Sequence, residues 1–222
     1  MNEQAMIKQF NQGDHDAAIR QAVQRIDDKP TDPKRYAVLA TMLIGLHAFD
    51  EASQLLVRAL GLFPNHPELT YDAGLLAFSQ ENFDLASKYF KQLAQGQGSL
   101  QTDAQYMLAL SEQHAGRTQK ALAYALTAHE AAPEKVDAAL LAAQLLLGFG
   151  AFKDASRLLK PFLKMKDAGV LFTYGMAQTG AGIDGQKWLD EAKAIDPKGY
   201  QSKVGQVRDI AGFLKAQGQA DE

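Results

Sequence analysis

Three glycines near the C-terminal end have the spacing of a dinucleotide-binding turn. Gly180, Gly182 and Gly185 match the pattern GxGxxG. Such a turn binds a pyrophosphate when a β-strand precedes it and a long helix follows, because the helix N-terminus then offers its free N–H groups to the anion. Here the glycines follow a segment with helical spacing and lie between two predicted helices. The sequence therefore favours a glycine-rich turn over a nucleotide site.

Histidine and cysteine point to no other chemistry. The chain has no cysteine, which excludes disulfides, thiolate metal sites and cysteine nucleophiles. No two histidines have the i, i+4 spacing of a helical zinc site, and no serine, histidine and acid grouping indicates a catalytic triad. The histidines are His15, His47, His66, His114 and His129. We therefore expect no catalytic residue, no metal, no cofactor and no enzymatic activity.

Composition and charge restrict the partners. The 222 residues are 46% hydrophobic and carry a net charge of −3, with acidic and basic residues mixed along the chain. A protein that neutralises nucleic-acid phosphates needs a basic surface, and this sequence has no basic cluster. No apolar run is long enough for a signal peptide or a membrane span. We expect a cytoplasmic protein that neither binds nucleic acid nor inserts into a membrane.

Alanines recur along the chain at an almost constant interval. Ala18, Ala52, Ala86, Ala121 and Ala155 follow one another at 34, 34, 35 and 34 residues. A period of this length is typical of repeat proteins, in which each unit buries its apolar face against the next unit. One extra residue within 95–102 accounts for the longer interval, and this segment is either a hinge or a slightly longer loop.

Each repeat has the apolar spacing of two helices joined by a short turn. Asp50 stands where a helix N-cap is expected, and Pro64 follows the end of the same helix. A last stripe over 199–217 is apolar on one face only, which is typical of a capping helix, and 218–222 form a polar tail. The predicted pairs are 35–46 with 50–63, 69–80 with 84–93, 106–114 with 118–131, 138–148 with 153–163, a shortened pair at 3–10 and 16–26, and a degenerate pair at 171–178 and 185–195.

The repeats resemble the tetratricopeptide repeat family in its bacterial form. The resemblance is strongest in one unit, whose signature positions hold Tyr36, Leu39, Ala40, Leu43, Ala52, Leu56, Ala59 and Pro64. It implies an all-α fold, a right-handed α-solenoid of about six stacked antiparallel helix pairs over residues 1–198. It further implies that the first helix of each pair lines a concave face.

The resemblance also indicates which residues line that concave groove. Their side chains are mainly apolar and aromatic, and they lack the basic residues and asparagines with which some family members hold a terminal carboxylate. We therefore expect a protein–protein interaction scaffold that binds a peptide or protein segment in this groove. A co-chaperone that shields apolar client segments, or a homodimer formed through the same face, are the alternatives. The groove residues are Ala37, Thr41, Ile44, Tyr71, Leu75, Phe78, Tyr106, Leu110, Gln113, Leu140, Gln144 and Leu147.

The recurring alanines predict where the helices of a pair cross, since close approach of two helices requires a small residue at the crossing. Replacing Ala86 by leucine should overpack this contact and lower the free energy of unfolding by ~1–3 kcal/mol. Urea unfolding of the Ala86→Leu variant measures this loss, and an unchanged midpoint would show that the repeat register is wrong.

Overall fold

The structure, a computed structural model, describes residues 3–96 and 98–205. Every regular element in these ranges is a helix, and the chain divides after Ala128 into two compact units. We call residues up to 128 the N-terminal unit and those from 129 the C-terminal unit. The all-α class and the helix pairs predicted from the sequence are confirmed.

The N-terminal unit contains seven complete helices and most of an eighth. Prolines at the first position of α3 and α5 favour these helix starts, because their missing N–H would have no intrahelical partner there. The helices are α1 Glu3–Asn11, α2 His15–Asp28, α3 Pro33–Gly45, α4 Phe49–Leu62, α5 Pro67–Ser79, α6 Phe83–Ala94, α7 Gln101–His114 and α8 Thr118–Ala131.

The C-terminal unit continues the pattern of paired helices. The second helix of its first pair ends early, at Leu159, because Pro161 cannot continue the hydrogen bonding of an α-helix. A 3-10 helix, Lys160–Met165, follows it. Residues 197–205 are also helical. The remaining elements are α9 Val136–Gly148, α10 Phe152–Leu159, α11 Ala168–Gly180 and α12 Gln186–Ile195.

The six described turns that join the two helices of a pair share one backbone conformation. One residue in each turn has a positive φ, and the next N–H donates to a carbonyl five residues earlier, as Ala48 donates to Leu43 at 2.9 Å. This is the Schellman motif, which satisfies the last carbonyls of a helix and favours glycine at the left-handed position. Glycine occupies that position in four turns, and His47 and Glu81 occupy it in the other two.

The periodic alanines lie at the helix crossings, as the sequence predicted. Ala52, Ala86 and Ala121 have no solvent exposure, and neither do Ala40 and Ala109 on the first helices. Gly74 is the corresponding small residue of α5. A Cβ built on Gly74 would lie 2.7 Å from Cε1 of Phe90 on α6. The buried Phe90 ring therefore occupies the space that any larger residue at position 74 would need.

The glycine-rich segment is a turn, in agreement with the sequence analysis. Gly180 ends α11, Gly182 has the positive φ of the Schellman turn at 77°, and Gly185 precedes α12. A Cβ on Gly185 would meet the backbone carbonyl of Gly175. Gly175 and Gly185 are thus explained by the close approach of α11 to α12, and the segment follows a helix rather than a strand.

The structure corrects some helix boundaries. Asp50 is the second residue of α4 and the N-cap is Ala48, so the predicted cap was wrong by two residues. Helix α7 begins at Gln101, five residues before the predicted start, because its first turn is too polar for apolar periodicity to reveal. The predicted capping helix 199–217 and tail 218–222 lie mostly outside the described residues and stay predictions.

Alanine substitutions at Gly74 and at Gly61 test the contact between Gly74 and Phe90, with Gly61 as the control. The Gly74→Ala change should lower the free energy of unfolding by ~1–3 kcal/mol, because the buried ring cannot move away from the new methyl group. Gly61, on α4, has open space around its Cβ position. The Gly61→Ala change should instead stabilise the protein by about 0.5–1 kcal/mol. Urea unfolding compares the variants, and equal effects of the two changes would contradict the packing described here.

Candidate functional site

The predicted groove residues are distributed over both compact units. Those on α3, α5 and α7 belong to the N-terminal unit and repeat along each helix at i, i+4 and i+7, which places them on one face of that helix. We call this surface the first-helix face, and it consists of Ala37, Thr41, Ile44, Tyr71, Leu75, Phe78, Tyr106, Leu110 and Gln113. In the C-terminal unit, α9 carries Leu140, Gln144 and Leu147.

The first-helix face is more covered than the sequence suggested. Thr41 is exposed, Ala37 is buried, and the other members are half-buried. Tyr71, Leu75 and Phe78 pack against the core shared by α5, α6 and α7, while Ile44 packs against the core of α3, α4 and α5. In the described part of the chain, none of these residues is among the large apolar side chains that are strongly exposed. The face is therefore a partly filled surface rather than an open apolar trough.

A buried aspartate joins α3 to α5 beneath this face. Asp72 is only 4% exposed, and its Oδ1 accepts a hydrogen bond of 3.1 Å from the hydroxyl of Thr41. The same hydroxyl lies 3.1 Å from the carbonyl oxygen of Ala37. A hydroxyl has one proton and cannot donate to both. If Asp72 is protonated at Oδ1, it donates to Thr41, and Thr41 donates to Ala37, so each of these three oxygens takes part in a hydrogen bond.

Two carboxylate oxygens at this position lack a hydrogen-bond partner in the protein. Oδ2 of Asp72 and Oε2 of Glu68 are both buried and unpaired. Burial raises the pKa of Asp72 to about 7, the hydrogen bond from Thr41 lowers it, and the charge of Glu68 raises it further. Lys34 on α3 approaches Glu68, with its Nζ 3.8 Å from Oε1 of Glu68, and its side chain is 70% exposed. Such an exposed pair contributes little.

Tyr71 connects the buried acid to α7. Its pKa is raised to about 12 by burial, and the charges of Asp103, Asp72 and Tyr106 add to this effect. The Tyr71 ring meets the edge of Phe90 at a centroid distance of 5.4 Å. The first-helix face thus brings tyrosine rings of α5 and α7 together with carboxylates of both helices.

Phe78 has a different environment from Tyr71. Its ring contacts Phe83 and His114, each at a centroid distance of 5.4 Å, and Phe83 stacks on His114 at 5.0 Å. These three rings hold together the end of α5, the start of α6 and the end of α7. Phe78 therefore contributes to packing between helices, which the sequence did not indicate.

The other buried carboxylate of the N-terminal unit is fully paired. Glu112 accepts hydrogen bonds from Arg117 at 2.6 Å and 3.2 Å, and Arg117 also donates to Asp84 at 2.6 Å. Although burial raises the pKa of Glu112, the hydrogen bonds and the charge of Arg117 outweigh it, and the pKa is lowered. This network joins α6 to α7 and the following turn. Its groups satisfy one another, which is typical of a structural ion pair.

In the C-terminal unit, the predicted residues lie on one face of α9. Leu140 and Leu147 are half-buried and pack against the core formed by α9, α10 and α11, and Gln144 is exposed. No buried acid accompanies them at this face in the described residues. No group of three or more histidine, aspartate or glutamate side chains that could hold a metal ion occurs in the described part of the chain.

Sequence reasoning missed Asp72 and Glu68, the charged residues of this site. The signal was present in the sequence of α5, PELTYDAGLLAFS, where Asp72 interrupts a segment that is otherwise almost entirely apolar after its first turn. A carboxylate at a position that packing requires to be buried is costly unless it is paired. Its burial could be known only once α3 was placed against α5.

Comparison with known proteins agrees with this architecture. Residues 39–100 match the family model of the tetratricopeptide repeat. No curated protein sequence matches the chain significantly. No helix in the described residues is both long enough and apolar enough to cross a membrane.

Several solved structures share the fold. PilW, a widely conserved type IV pilus biogenesis factor, is 18% identical with a TM-score of 0.76, and the match covers 92% of this chain and 100% of PilW. PilF of Pseudomonas aeruginosa is 15% identical with a TM-score of 0.77, covering 91% and 95% of the two chains. YrrB, a tetratricopeptide repeat protein with an unusual peptide-binding site, is 20% identical with a TM-score of 0.63, covering 80% and 93%.

The raised pKa of Asp72 makes stability depend on pH. Between about pH 4 and pH 7 the folded protein keeps a proton that the unfolded chain loses, so the free energy of unfolding falls as the pH rises through this range. Since each pKa unit corresponds to about 1.4 kcal/mol, the loss is at most ~4 kcal/mol. The Asp72→Asn variant removes this contribution and should be more stable than the wild type at pH 8, with little difference at pH 4.

Urea unfolding of both proteins at pH 4, 6 and 8 measures the effect. Glu68 on the same helix and Lys34 on α3 are present in both proteins, so the two proteins differ only at position 72. A difference in midpoint that does not vary with pH would contradict the raised pKa of Asp72.

Proposed function

Because the chain is a tetratricopeptide repeat protein, we propose that it is an interaction scaffold that holds a segment of another protein on the first-helix face. The fold supports a role in protein–protein interaction, since stacked helix pairs present the same face of successive helices to a partner. The proposal is specific about the face and about the kind of occupant, a peptide segment with apolar or aromatic anchors. The binding is non-catalytic.

The observation that carries the proposal is the repetition of partly covered rings and aliphatic side chains on successive first helices. Tyr71 and Leu75 on α5 and Tyr106 and Leu110 on α7 are half-buried. Half-buried side chains form good binding surfaces, because packing against the core already restricts their rotamers. Less conformational entropy is then lost when a partner covers their exposed part. Tyrosine in particular combines a large apolar ring with a polar hydroxyl, and it is enriched among residues that dominate binding energy.

The likeness to YrrB, a protein with a peptide-binding site, supports a peptide as the occupant. A helical segment or an extended one would fit a face that repeats at i, i+4 and i+7, since each offers apolar anchors at regular spacing. Leu140, Gln144 and Leu147 of α9 are proposed as a corresponding surface of the C-terminal unit. The cytoplasmic location and the homodimer remain predictions from the sequence.

A selection with random peptides tests this proposal. A phage-displayed library of 12-residue peptides is selected on the wild-type protein, and the recovered peptides are titrated by fluorescence anisotropy. Replacing both Tyr71 and Tyr106 by alanine should weaken binding at least tenfold, because the anchors of the face are lost. The control replaces Tyr89 and Tyr124, half-buried tyrosines of the second helices α6 and α8, and should leave the affinity within about twofold.

Circular dichroism of all variants checks that helicity is preserved. Recovery of no peptide, or equal loss of binding in the two double variants, would contradict the proposal. Sedimentation equilibrium addresses the homodimer, because a dimer that dissociates when Tyr71 and Tyr106 are replaced would show that a second copy occupies the face. Suppressed aggregation of an unfolded client, without selection of any peptide, would instead indicate a shielding role.

A further inference from the structure

We propose that the segment bound on the first-helix face carries a lysine or arginine whose cationic group is held by Asp72 and Glu68. This inference rests on the proposed function and adds the chemical class of the partner. It assigns an ion-pairing position to a surface that the sequence describes as apolar and aromatic.

Two carboxylate oxygens on α5 have no hydrogen-bond partner in the described residues. Oδ2 of Asp72 and Oε2 of Glu68 are buried without a hydrogen-bond partner, and Asp72 as a residue is only 4% exposed. The two residues are four positions apart on α5, so their side chains lie on the same face one turn apart. A buried acceptor without a donor is costly, and the unpaired Oδ2 of Asp72, with a second unpaired oxygen one turn away on Glu68, points to a donor that a partner supplies.

A cation is the donor that fits best. Lysine and arginine side chains donate hydrogen bonds and accept none, with three and five N–H groups, so one such group can serve both carboxylates. A neutral donor such as an amide would satisfy a hydrogen bond but would leave two negative charges close together. Pairing with a cation stabilises the ionised form of Asp72 and removes the repulsion that Glu68 exerts on it.

Among the residues that the structure describes, no lysine or arginine forms an ion pair with Asp72. The other buried acid, Glu112, receives its cation from Arg117 of the same chain at 2.6 Å. At Asp72 and Glu68 the corresponding group is Lys34, which approaches only Glu68, at 3.8 Å, and whose side chain is 70% exposed. This fold therefore pairs one buried acid closely, whereas Oδ2 of Asp72 has no hydrogen-bond partner in the described residues.

A basic side chain of the bound segment can reach Asp72, and the neighbouring side chains suit its length and charge. Thr41 is exposed and its hydroxyl is hydrogen-bonded to Asp72, so the buried carboxylate directly contacts a surface side chain. The terminal torsion of aspartate has a broad, two-fold distribution, which allows the carboxylate to turn toward a cation that enters beside Thr41. A long side chain can reach this depth while its methylene groups cover Ile44 and Leu75. The half-buried ring of Tyr71 adds an attractive face for a cation.

The peptides selected on the wild-type protein test the inference. We expect most of them to contain one lysine or arginine at a constant distance from their apolar anchors. Replacing that residue by glutamine in the peptide, or Asp72 by asparagine in the protein, should weaken binding at least tenfold at pH 7.5. Combining the two changes should add little beyond either one alone, because both remove the same ion pair.

Two further variants make the result specific. Asp50→Asn removes the same charge from an exposed position in the first turn of α4 and should leave the affinity within about twofold. Glu68→Gln should weaken binding to the same basic peptides and leave binding of their glutamine counterparts unchanged. Circular dichroism and thermal melting of Asp72→Asn confirm that the variant is folded, so that a loss of binding reflects the missing charge.

The outcomes separate this inference from the proposed function. Selected peptides without a basic residue, whose binding still depends on Tyr71 and Tyr106, would overturn the inference and leave the proposed function intact. Equal effects of Asp72→Asn and Asp50→Asn would also overturn it, since they would reflect net charge alone. Recovery of no peptide would contradict the proposed function and the inference together.

Discussion

The close crossing of two helices at a pair of small residues is the constraint on which the structure depends. In the four pairs from α3–α4 to α9–α10, an alanine or glycine of the first helix and an alanine of the second lie at the crossing, and all of these residues are buried. The crossing brings neighbouring large residues such as Phe90 into contact with the opposite helix. Because a larger side chain at the crossing would force the axes apart, the same small residues recur at the same interval along the chain.

This constraint determines which faces of the helices remain available. The small residues lie on the side of each first helix that faces the second helix of the same pair. The side that carries Tyr71, Leu75 and Tyr106 remains half-buried. The Schellman turns fix the direction in which each second helix leaves, since the left-handed residue and the two hydrogen bonds allow little variation. The first-helix face is therefore a consequence of how the pairs pack.

The two buried carboxylates illustrate how the same packing can serve stability or recognition. Glu112 is surrounded by the groups that its charge requires, and its network joins neighbouring helices. Asp72 has a threonine hydroxyl and a nearby glutamate, so its charged form is poorly stabilised in the free protein. A buried charge without an opposite charge beside it reduces stability, and for this reason we propose that a bound segment supplies the opposite charge at Asp72.

The sequence by itself determined the all-α class, the repeat and the residues at the helix crossings, because a period of 34 residues and the requirement for small side chains are properties of the chain. It also predicted which first-helix residues share a face. It could not show that Phe78 packs with Phe83 and His114, or how far Tyr71 is covered, since these depend on neighbours distant in sequence. The burial of Asp72 was decided only by the tertiary structure, because desolvation arises when α3 packs against α5.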